Sequence, residues 1–201
     1  RSSGRAHQRD SRRRSIRSIL QPDPRLLEED LSHVDEADVR KTVETLVYVW
    51  SFDSIARIGR AYIEKAVPKG KLALRKALID YTGDLFFKCP TMAFSEKHSA
   101  GGGKVYGFVF GHRSEKYEFP EFLGVPHTSD IPYYMGGPFL DPEKYTDKDR
   151  VMSRKPMDML VSFARNWSPK HPAGLPWPAF SKKHAVYQWI QPGNYRHVSD
   201  L

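Results

Sequence analysis

Apolar residues recur at helical spacing through the first half of this chain. The segment Ser32–Asp35 has the form of a capping box, which predicts that a helix starts there. The run behind it brings five apolar side chains onto one face, namely Val39, Val43, Leu46, Val47 and Trp50. A second helix is predicted over 52–67. Its inward-facing residues are expected to be Ile55, Ile58, Ala61, Tyr62 and Ala66.

Two more helices are predicted before the pattern changes. The segment Pro68–Gly70 breaks the second helix, and apolar spacing then predicts a third over 72–81. Residues 84–97 continue as a helix that Pro90 is expected to bend, because proline lacks a backbone N–H and clashes with the preceding turn. The glycine run 101–103 ends this helical region. The inward face of the third helix is expected to hold Leu74, Leu78 and Ile79.

Two short segments have the composition of strands. Residues 104–110 are aromatic and β-branched, which predicts a buried strand, and residues 185–190 predict a final one. Between them, 111–144 resembles a long ordered loop, and Thr146 opens a helix in which Pro156 is expected to cause a kink. Two strands about 75 residues apart and joined through a helix indicate an α/β sheet. Because two strands alone do not form a stable sheet, the others are expected either in segments assigned to helices or outside this chain.

Composition and charge divide the chain into two parts. The 201 residues are 39% apolar and 12% aromatic, which is enough to fill a core and excludes a wholly disordered chain. The formal net charge is +8, and +6 of it lies in residues 1–18, which hold seven arginines and one acid, so the rest carries +2. We therefore expect a disordered Arg/Ser-rich arm at 1–18 and a nearly neutral body at 19–201. No nucleic acid partner is expected, because no aromatic residues alternate with the arginines to stack on bases.

Several kinds of site are not predicted. Gly101–Lys104 lacks the glycine that a phosphate-binding loop needs five residues before its Gly-Lys pair, so a helix-to-strand turn is favoured. The eight histidines show no His-Glu-x-x-His spacing, and neither zinc nor another metal is predicted. Only two glycine pairs are four residues apart, and Val105 and Val109 stand at their centres. The chain therefore has no Gly-x-Ser-x-Gly, the elbow that carries the nucleophile of many hydrolases. No run of apolar residues is long enough to predict a transmembrane segment.

His127 has the most distinctive surroundings of the histidines. It directly follows Gly124-Val-Pro, and Asp130 stands three residues behind it. Glycine and proline at these positions would fix the loop and aim the imidazole. Asp130 has two open interpretations, a group that supports the imidazole or the cap of a following helix, and we expect a supporting rather than a catalytic role.

From Gly83 onward the sequence resembles the C-terminal part of type-B carboxylesterases and cholinesterases. Seven pieces carry the resemblance, namely Gly83–Pro90, Gly101–Tyr106, Phe110–Arg113, Gly124–His127, Asp130–Pro138, Phe163–Arg165 and Pro176–Pro178. Their order and spacing fit as a set over about residues 70–200. Residues 19–70 are more loosely similar to the variable helical region of that family, and 1–18 match nothing in it.

The resemblance implies the C-terminal part of an α/β-hydrolase fold over 19–201, mostly helical and with the last strands of the core sheet. It implies a serine carboxylic-ester hydrolase with a Ser…Glu/Asp…His triad in that order, a small-molecule carboxylic ester as substrate, and no cofactor. His127 aligns with the catalytic histidine, which is the general base toward the serine and then the general acid toward the leaving alkoxide. The serine, the oxyanion-hole glycines and the triad acid are expected upstream of residue 1. We therefore expect the chain by itself to be inactive, and a homo-oligomer stays open.

Two further residues take their meaning from the resemblance. Cys89 is the only cysteine, and it is interpreted either as a free buried thiol or, as the family implies, as one half of a disulfide whose partner lies outside this chain. Asn166-Trp-Ser168 is a sequon for glycosylation. Both features fit a secreted or secretory-pathway glycoprotein.

Departures from the family pattern bear on function. Ser129 stands where cholinesterases carry an aromatic residue that helps to bind choline, and Phe119 and Phe122 replace tryptophans, so a broader carboxylesterase is favoured. The alternative function is a non-catalytic, cholinesterase-like adhesion or binding protein, because such relatives often lose triad residues. A third hypothesis gives the arm 1–18 a role in salt-sensitive binding of a polyanion.

Overall fold

The computed structural model describes residues 24–50 and 53–199. The chain divides after Phe86 into two compact units, each with its own hydrophobic core. The predicted arm at 1–18 lies outside the described residues, and so do the side chains of Leu46, Val47 and Trp50.

The first unit is built from three helices that all contact one another. They are α1 (Glu36–Trp50), α2 (Asp53–Ala66) and α3 (Lys71–Gly83). Short 3₁₀ turns stand before α1, at Pro24–Leu27, and between α2 and α3, at Val67–Lys69. The break predicted at Pro68–Gly70 is confirmed, and Gly70 has the positive φ of 86° that favours glycine at such a turn.

Helix α1 has a capping box, three residues later than the sequence predicts. The backbone N–H of Asp38 donates to Asp35 Oδ1 at 2.9 Å, and the N–H of Asp35 donates to Asp38 Oδ2 at 3.1 Å. The predicted start at Ser32 is therefore wrong. The backbone hydrogen bond from Asp35 and the guanidinium of Arg25 lower the pKa of the Asp38 carboxyl. Two carboxylates in one first turn tolerate each other because the helix N-terminus and this arginine favour negative charge.

The buried face of α2 agrees with the predicted one in part, since Ala66 is buried and Ile55 and Tyr62 pack against the core. Ile58 is 54% exposed and Ala61 is exposed, whereas Ile63 is 1% exposed. Gly59 explains the difference, because a Cβ at that position would lie 2.4 Å from Val43 of α1. Helices α1 and α2 approach closely at Gly59 because it has no side chain. The side of α2 that contains Gly59 and Ile63 therefore faces the core.

Helix α3 follows its prediction more closely. Leu74 and Leu78 are buried, and Ile79 is half-buried. The core of the first unit consists of Leu26, Leu31, Val34, Val39, Val43, Ile63, Ala66, Leu74, Ala77, Leu78 and Tyr81.

A change of helix type marks the border of the second unit. Residues Asp84–Lys88 form a π-helical segment, and α4 then runs over Cys89–Ala100. Pro90 is the second residue of α4, and the π-helical segment ends directly before it, so the helical hydrogen-bond pattern changes next to the proline that cannot donate. The turn predicted at Gly101–Gly103 ends α4.

The second unit contains a three-stranded sheet in the order β1-β2-β3. Strand β1 (Gly107–Phe110) pairs in parallel with β2 (Tyr187–Ile190), with Gly107 opposite Tyr187, and β2 pairs antiparallel with β3 (Arg196–Val198). Both predicted strands are confirmed in shorter form, and their parallel pairing confirms the α/β class. Strand β1 is not fully buried, since Phe108 is 37% exposed. The expectation that β2 is the final strand is wrong, because β3 follows it.

Three helices lie between β1 and β2, namely α5 (Ile131–Tyr134), α6 (Gly137–Leu140) and α7 (Asp147–Asn166). Helix α7 begins with the predicted capping box, formed by Thr146 and Asp149, and it continues through Pro156 as one element. The core of this unit consists of Tyr133, Met152, Met159 and Ile190, with Phe110, Tyr145, Trp177 and Tyr195 packed against it. Within the described residues, no helix combines the length and the apolar character that crossing a membrane requires.

Candidate active site

His127 lies in the exposed turn that leads into α5. Its ring stacks on the ring of Phe87, with 4.1 Å between the ring centroids and 29° between the planes. Within the part of the chain that the structure describes, the imidazole makes no hydrogen bond. Both ring nitrogens are therefore open to groups that approach from solvent or from outside these residues.

The backbone around His127 holds an unusual conformation. Gly124 has φ 59° and ψ −119°, which is the geometry of the first central residue of a type II′ turn and is populated by glycine. Thr128 has φ 69°, and a β-branched residue at positive φ costs about 1–2 kcal/mol. The hydroxyl of Ser129 donates to the carbonyl of Pro126 at 2.6 Å and closes the turn. The sequence signal Gly-Val-Pro-His thus corresponds to a loop of defined shape.

The segment that follows β1 is tied to this loop by an arginine. Nη1 of Arg113 donates to the carbonyl of Gly124 at 2.7 Å, and Nη2 donates to the carbonyl of Phe119. The guanidinium also lies over the ring of Tyr117, with 5.3 Å from its carbon to the ring centroid. One side chain therefore holds both ends of the stretch that precedes His127.

The residues on either side of Arg113 turn to a buried carboxylate, Asp149. His112 Nε2 lies 2.6 Å from Asp149 Oδ1, and the hydroxyl of Ser114 donates to Oδ2 at 2.7 Å. Side chains alternate along an extended segment, so His112 and Ser114 share one side while Arg113 points to the other. Because the partner is a carboxylate, the ring nitrogen of His112 that faces it is the donor.

Asp149 accepts hydrogen bonds from every side. Besides the two from His112 and Ser114, it receives one from the hydroxyl of Tyr133 at 2.8 Å and two from the backbone and hydroxyl of Thr146. Burial alone would raise the pKa of this carboxyl, but the five hydrogen bonds outweigh it and hold the pKa well below its usual range. Burial, together with the hydrogen bond to Asp149, raises the pKa of the Tyr133 phenol. The cluster is therefore an ionised carboxylate surrounded by donors.

Asp130 stands at the position before α5, but its side chain accepts no capping hydrogen bond. The interpretation of Asp130 as a helix cap is therefore wrong, since the backbone N–H of Tyr133 bonds instead to the Asp130 carbonyl at 2.9 Å. Burial, and after it the charge of Asp130, raise the pKa of the Tyr134 phenol, which places this carboxylate near Tyr134.

Two further residues named from the sequence are Cys89 and Asn166. Cys89 is exposed at the start of α4, so the expectation of a buried thiol is wrong. Asn166 is the exposed last residue of α7, and Trp167 behind it is in the left-handed region with φ 55°. No group of three or more His, Cys, Asp or Glu among the described residues is arranged to hold a metal ion.

Neither Arg113 nor the cluster around Asp149 is predicted from the sequence as part of a site. The sequence holds one separate signal for each. Phe110–Arg113 is one of the pieces of the family resemblance, and Asp149 completes the predicted capping box of α7. What brings them together is the fold, which joins residues up to 37 positions apart. No spacing rule predicts such a contact.

Comparison with known proteins gives a consistent result. A family model described as the carboxylesterase family matches residues 14–199. Acetylcholinesterase of Gallus gallus is 38% identical over 114 residues, which are 56% of this chain and 15% of that protein. Carboxylesterase 5A of Mus musculus is 34% identical over 116 residues, 54% of this chain and 20% of that protein. Acetylcholinesterase-1 of Trittame loki is 27% identical over 144 residues, 71% of this chain and 26% of that protein. The chain thus matches about a quarter or less of the length of these relatives.

Proposed function

Because the chain belongs to the carboxylesterase family, we propose that it is the histidine-bearing part of a serine esterase. His127 is the general base and acid of that enzyme. The observation that carries the proposal is the placement of His127. The residue is exposed, the backbone of its loop is held on both sides, and both nitrogens of its ring are open. A proton-transfer group has to be held in this way, because its nitrogen must meet the reacting hydroxyl within hydrogen-bond reach.

The chemistry asked of the imidazole has two halves. In the first, one ring nitrogen takes the proton of the serine hydroxyl while the oxygen attacks the ester carbonyl, and the same nitrogen gives that proton to the departing alkoxide. In the second, the nitrogen takes a proton from water, whose oxygen attacks the acyl-enzyme, and returns it to the serine. The other nitrogen donates to a carboxylate, which holds the ring and stabilises the imidazolium.

The remaining catalytic groups belong to other parts of the protein in this proposal. The chain has no Gly-x-Ser-x-Gly sequence, and the matched segments are 15–26% of the relatives' lengths. The serine, the donors to the oxyanion and the triad acid are therefore expected outside these 201 residues. Asp130 follows His127 by three residues at the start of α5, its side chain makes no capping hydrogen bond, and we assign it a supporting role in this proposal.

The substrate class proposed is a small carboxylic ester without a requirement for choline. The chain is similar both to acetylcholinesterases and to a carboxylesterase, so the likeness alone does not choose between them. Ser129 favours the broader class, because its hydroxyl bonds to the Pro126 carbonyl and offers no aromatic face to a quaternary ammonium.

The decisive variant is His127→Gln in the intact protein that contains this chain. Loss of the general base is expected to lower kcat for p-nitrophenyl butyrate by about 10⁴-fold or more. The control is His184→Gln, which changes an exposed histidine in a turn of the same unit and should leave kcat within about twofold. Hydrolysis is followed by absorbance of the released nitrophenolate.

A labelled fluorophosphonate separates this function from a non-catalytic adhesion role. The intact wild-type protein should react through its activated serine, and His127→Gln should react far more slowly. An intact protein that neither turns over esters nor takes up the label would contradict the proposal and favour the adhesion alternative.

A further inference from the structure

We propose that Arg113 is a positioning residue for His127, an inference that rests on the proposed function of that histidine. Its guanidinium bridges the carbonyl oxygens of Phe119 and Gly124 and so sets where the loop delivers the imidazole. Arg113 itself touches neither the substrate nor the reacting atoms. It acts through the backbone of the loop.

The geometry of the bridge suits arginine. A planar guanidinium presents several N–H donors in a fixed fork, so two carbonyls held by it have a defined separation and direction. The Gly124 carbonyl belongs to the residue with φ 59° and ψ −119°, so the conformation that requires glycine and the arginine contact occur at the same place. The 3₁₀ turn Glu121–Leu123 lies between the two carbonyls and is closed by the bridge.

Arg113 can fix the loop only because it is fixed itself. The N–H of Gly111 donates to the Ile190 carbonyl at 2.9 Å, which extends the β1–β2 ladder by one residue. His112 and Ser114 are buried and bonded to Asp149, so the backbone on each side of Arg113 is anchored. The ring of Tyr117 covers the guanidinium from a further direction. The backbone that carries Arg113 is therefore rigid, and the arginine side chain extends from it to the loop.

Asp149, which anchors the backbone around Arg113, also holds the C-terminal side of the loop. Tyr133, six residues after His127, donates to Asp149, and Ser153 donates to the carbonyl of Tyr133 at 2.6 Å. The loop is thus tied at Gly124 through Arg113 and at Tyr133 through Asp149. Without Arg113 the attachment at Tyr133 remains and the one at Gly124 is lost. The backbone on the N-terminal side of His127 is then free to move. A displacement of about 1 Å at a catalytic group lowers rates by up to about 10²-fold.

The test compares Arg113→Ala and Arg113→Lys with a matched control, Arg40→Ala, in the intact protein. Arg40 forms a helix-surface pair with Glu36 in the other unit, so its removal should change little. Two quantities are measured for each variant. They are kcat and KM for p-nitrophenyl butyrate, and the position and width of the His127 imidazole signal in histidine-labelled NMR spectra, assigned with His127→Gln.

We expect Arg113→Ala to lower kcat by about 10–100-fold with KM within about threefold, and to shift or broaden the His127 signal. Arg113→Lys should recover part of kcat, since an ammonium can reach one of the two carbonyls but cannot bridge both in a fixed geometry. An unchanged kcat, or a lower kcat with an unchanged His127 signal, would overturn the proposal. A wild-type protein without ester turnover would reject the proposed function instead, and the positioning role would then be decided by the His127 signal alone.

Discussion

At the scale of single residues, Asp149 has the densest set of polar contacts in the second unit. It has no solvent exposure and accepts bonds from His112, Ser114, Tyr133 and Thr146. We expect Asp149→Asn to lower the free energy of unfolding by about 3 kcal/mol or more, because an amide would place N–H donors against donors and remove the charge that His112 and the hydroxyls face. Urea unfolding of the intact protein measures the loss.

The control for this change is Asp147→Asn in the same helix turn. The Asp147 side chain is 94% exposed and pairs only at the surface with Arg150, so its replacement should cost less than about 0.5 kcal/mol. Equal losses in Asp149→Asn and Asp147→Asn would show that the buried carboxylate has no special role in stability.

The sequence predicted some of these residues and could not predict others. Thr146 and Asp149 follow a local capping rule, so the box at the start of α7 was predictable and is confirmed. The further partners of Asp149 are brought to it by the fold, and no rule of spacing indicates them. His127 is identified by its local glycine and proline together with the family resemblance, whereas Arg113 ends a piece of that resemblance, Phe110–Arg113, which by itself indicates no role for the arginine.

At the scale of elements, the long helices are predicted well and their faces less well, whereas α5 and α6 lie within 111–144, where the sequence predicts a loop. The predicted face of α2 is confirmed at Ile55, Tyr62 and Ala66 and wrong at Ile58 and Ala61. A hydrophobic pattern counts Gly59 as neutral, yet this glycine is buried where α2 lies close to Val43 of α1. Strand β3 was missed because its residues, Arg196 to Val198, are largely exposed and only three in number. An edge strand of this kind obtains its stability from pairing, here with β2, and not from its own composition.

A buried histidine ties the loop after α7 to β2. His171 Nε2 lies 2.7 Å from Gln188 Oε1, and Nδ1 accepts from the N–H groups of Ala173 and Leu175 at 3.0 and 3.3 Å. Since Nδ1 accepts, the ring is neutral and Nε2 carries the proton. Burial lowers the pKa of His171, with the nearby His197 contributing in the same direction.

This arrangement predicts a loss of stability in mild acid. As the pH falls below about 6.5, the unfolded chain binds a proton at His171 that the folded protein does not, so the free energy of unfolding decreases until the pH reaches the lowered pKa of the folded state. Above about 6.5 the contribution is fully present. In the intact protein, His171→Gln should show a smaller decrease in urea midpoint between pH 7.5 and 5 than wild type, whereas His184→Gln should match wild type. Parallel decreases in all three proteins would contradict the prediction.

At the scale of the whole molecule, the sheet ends on an open edge. In the described part of the chain β1 pairs only with β2, so its other side offers unpaired N–H and C=O groups. Exposed apolar side chains lie on β1 and next to a residue that contacts it. Phe108 is 37% exposed, its ring is 5.8 Å from that of Tyr134, and the next residue, Met135, is 72% exposed. A surface of this kind is normally covered by further strands or by another chain.

We therefore expect the purified 201-residue chain to associate in solution and to lack a cooperative, monomeric thermal transition. Sedimentation should give species heavier than the 23.1 kDa monomer at micromolar concentration, with strong binding of the dye ANS. The double change Phe108→Lys and Met135→Lys should reduce both, because lysine in β1 opposes pairing with another chain and lysine at Met135 removes exposed apolar surface. Leu72→Lys, at an exposed position of the first unit, is the control and should reduce them less. A wild-type chain that sediments as a monomer and unfolds in one sharp transition would show that the open edge is tolerated without a partner.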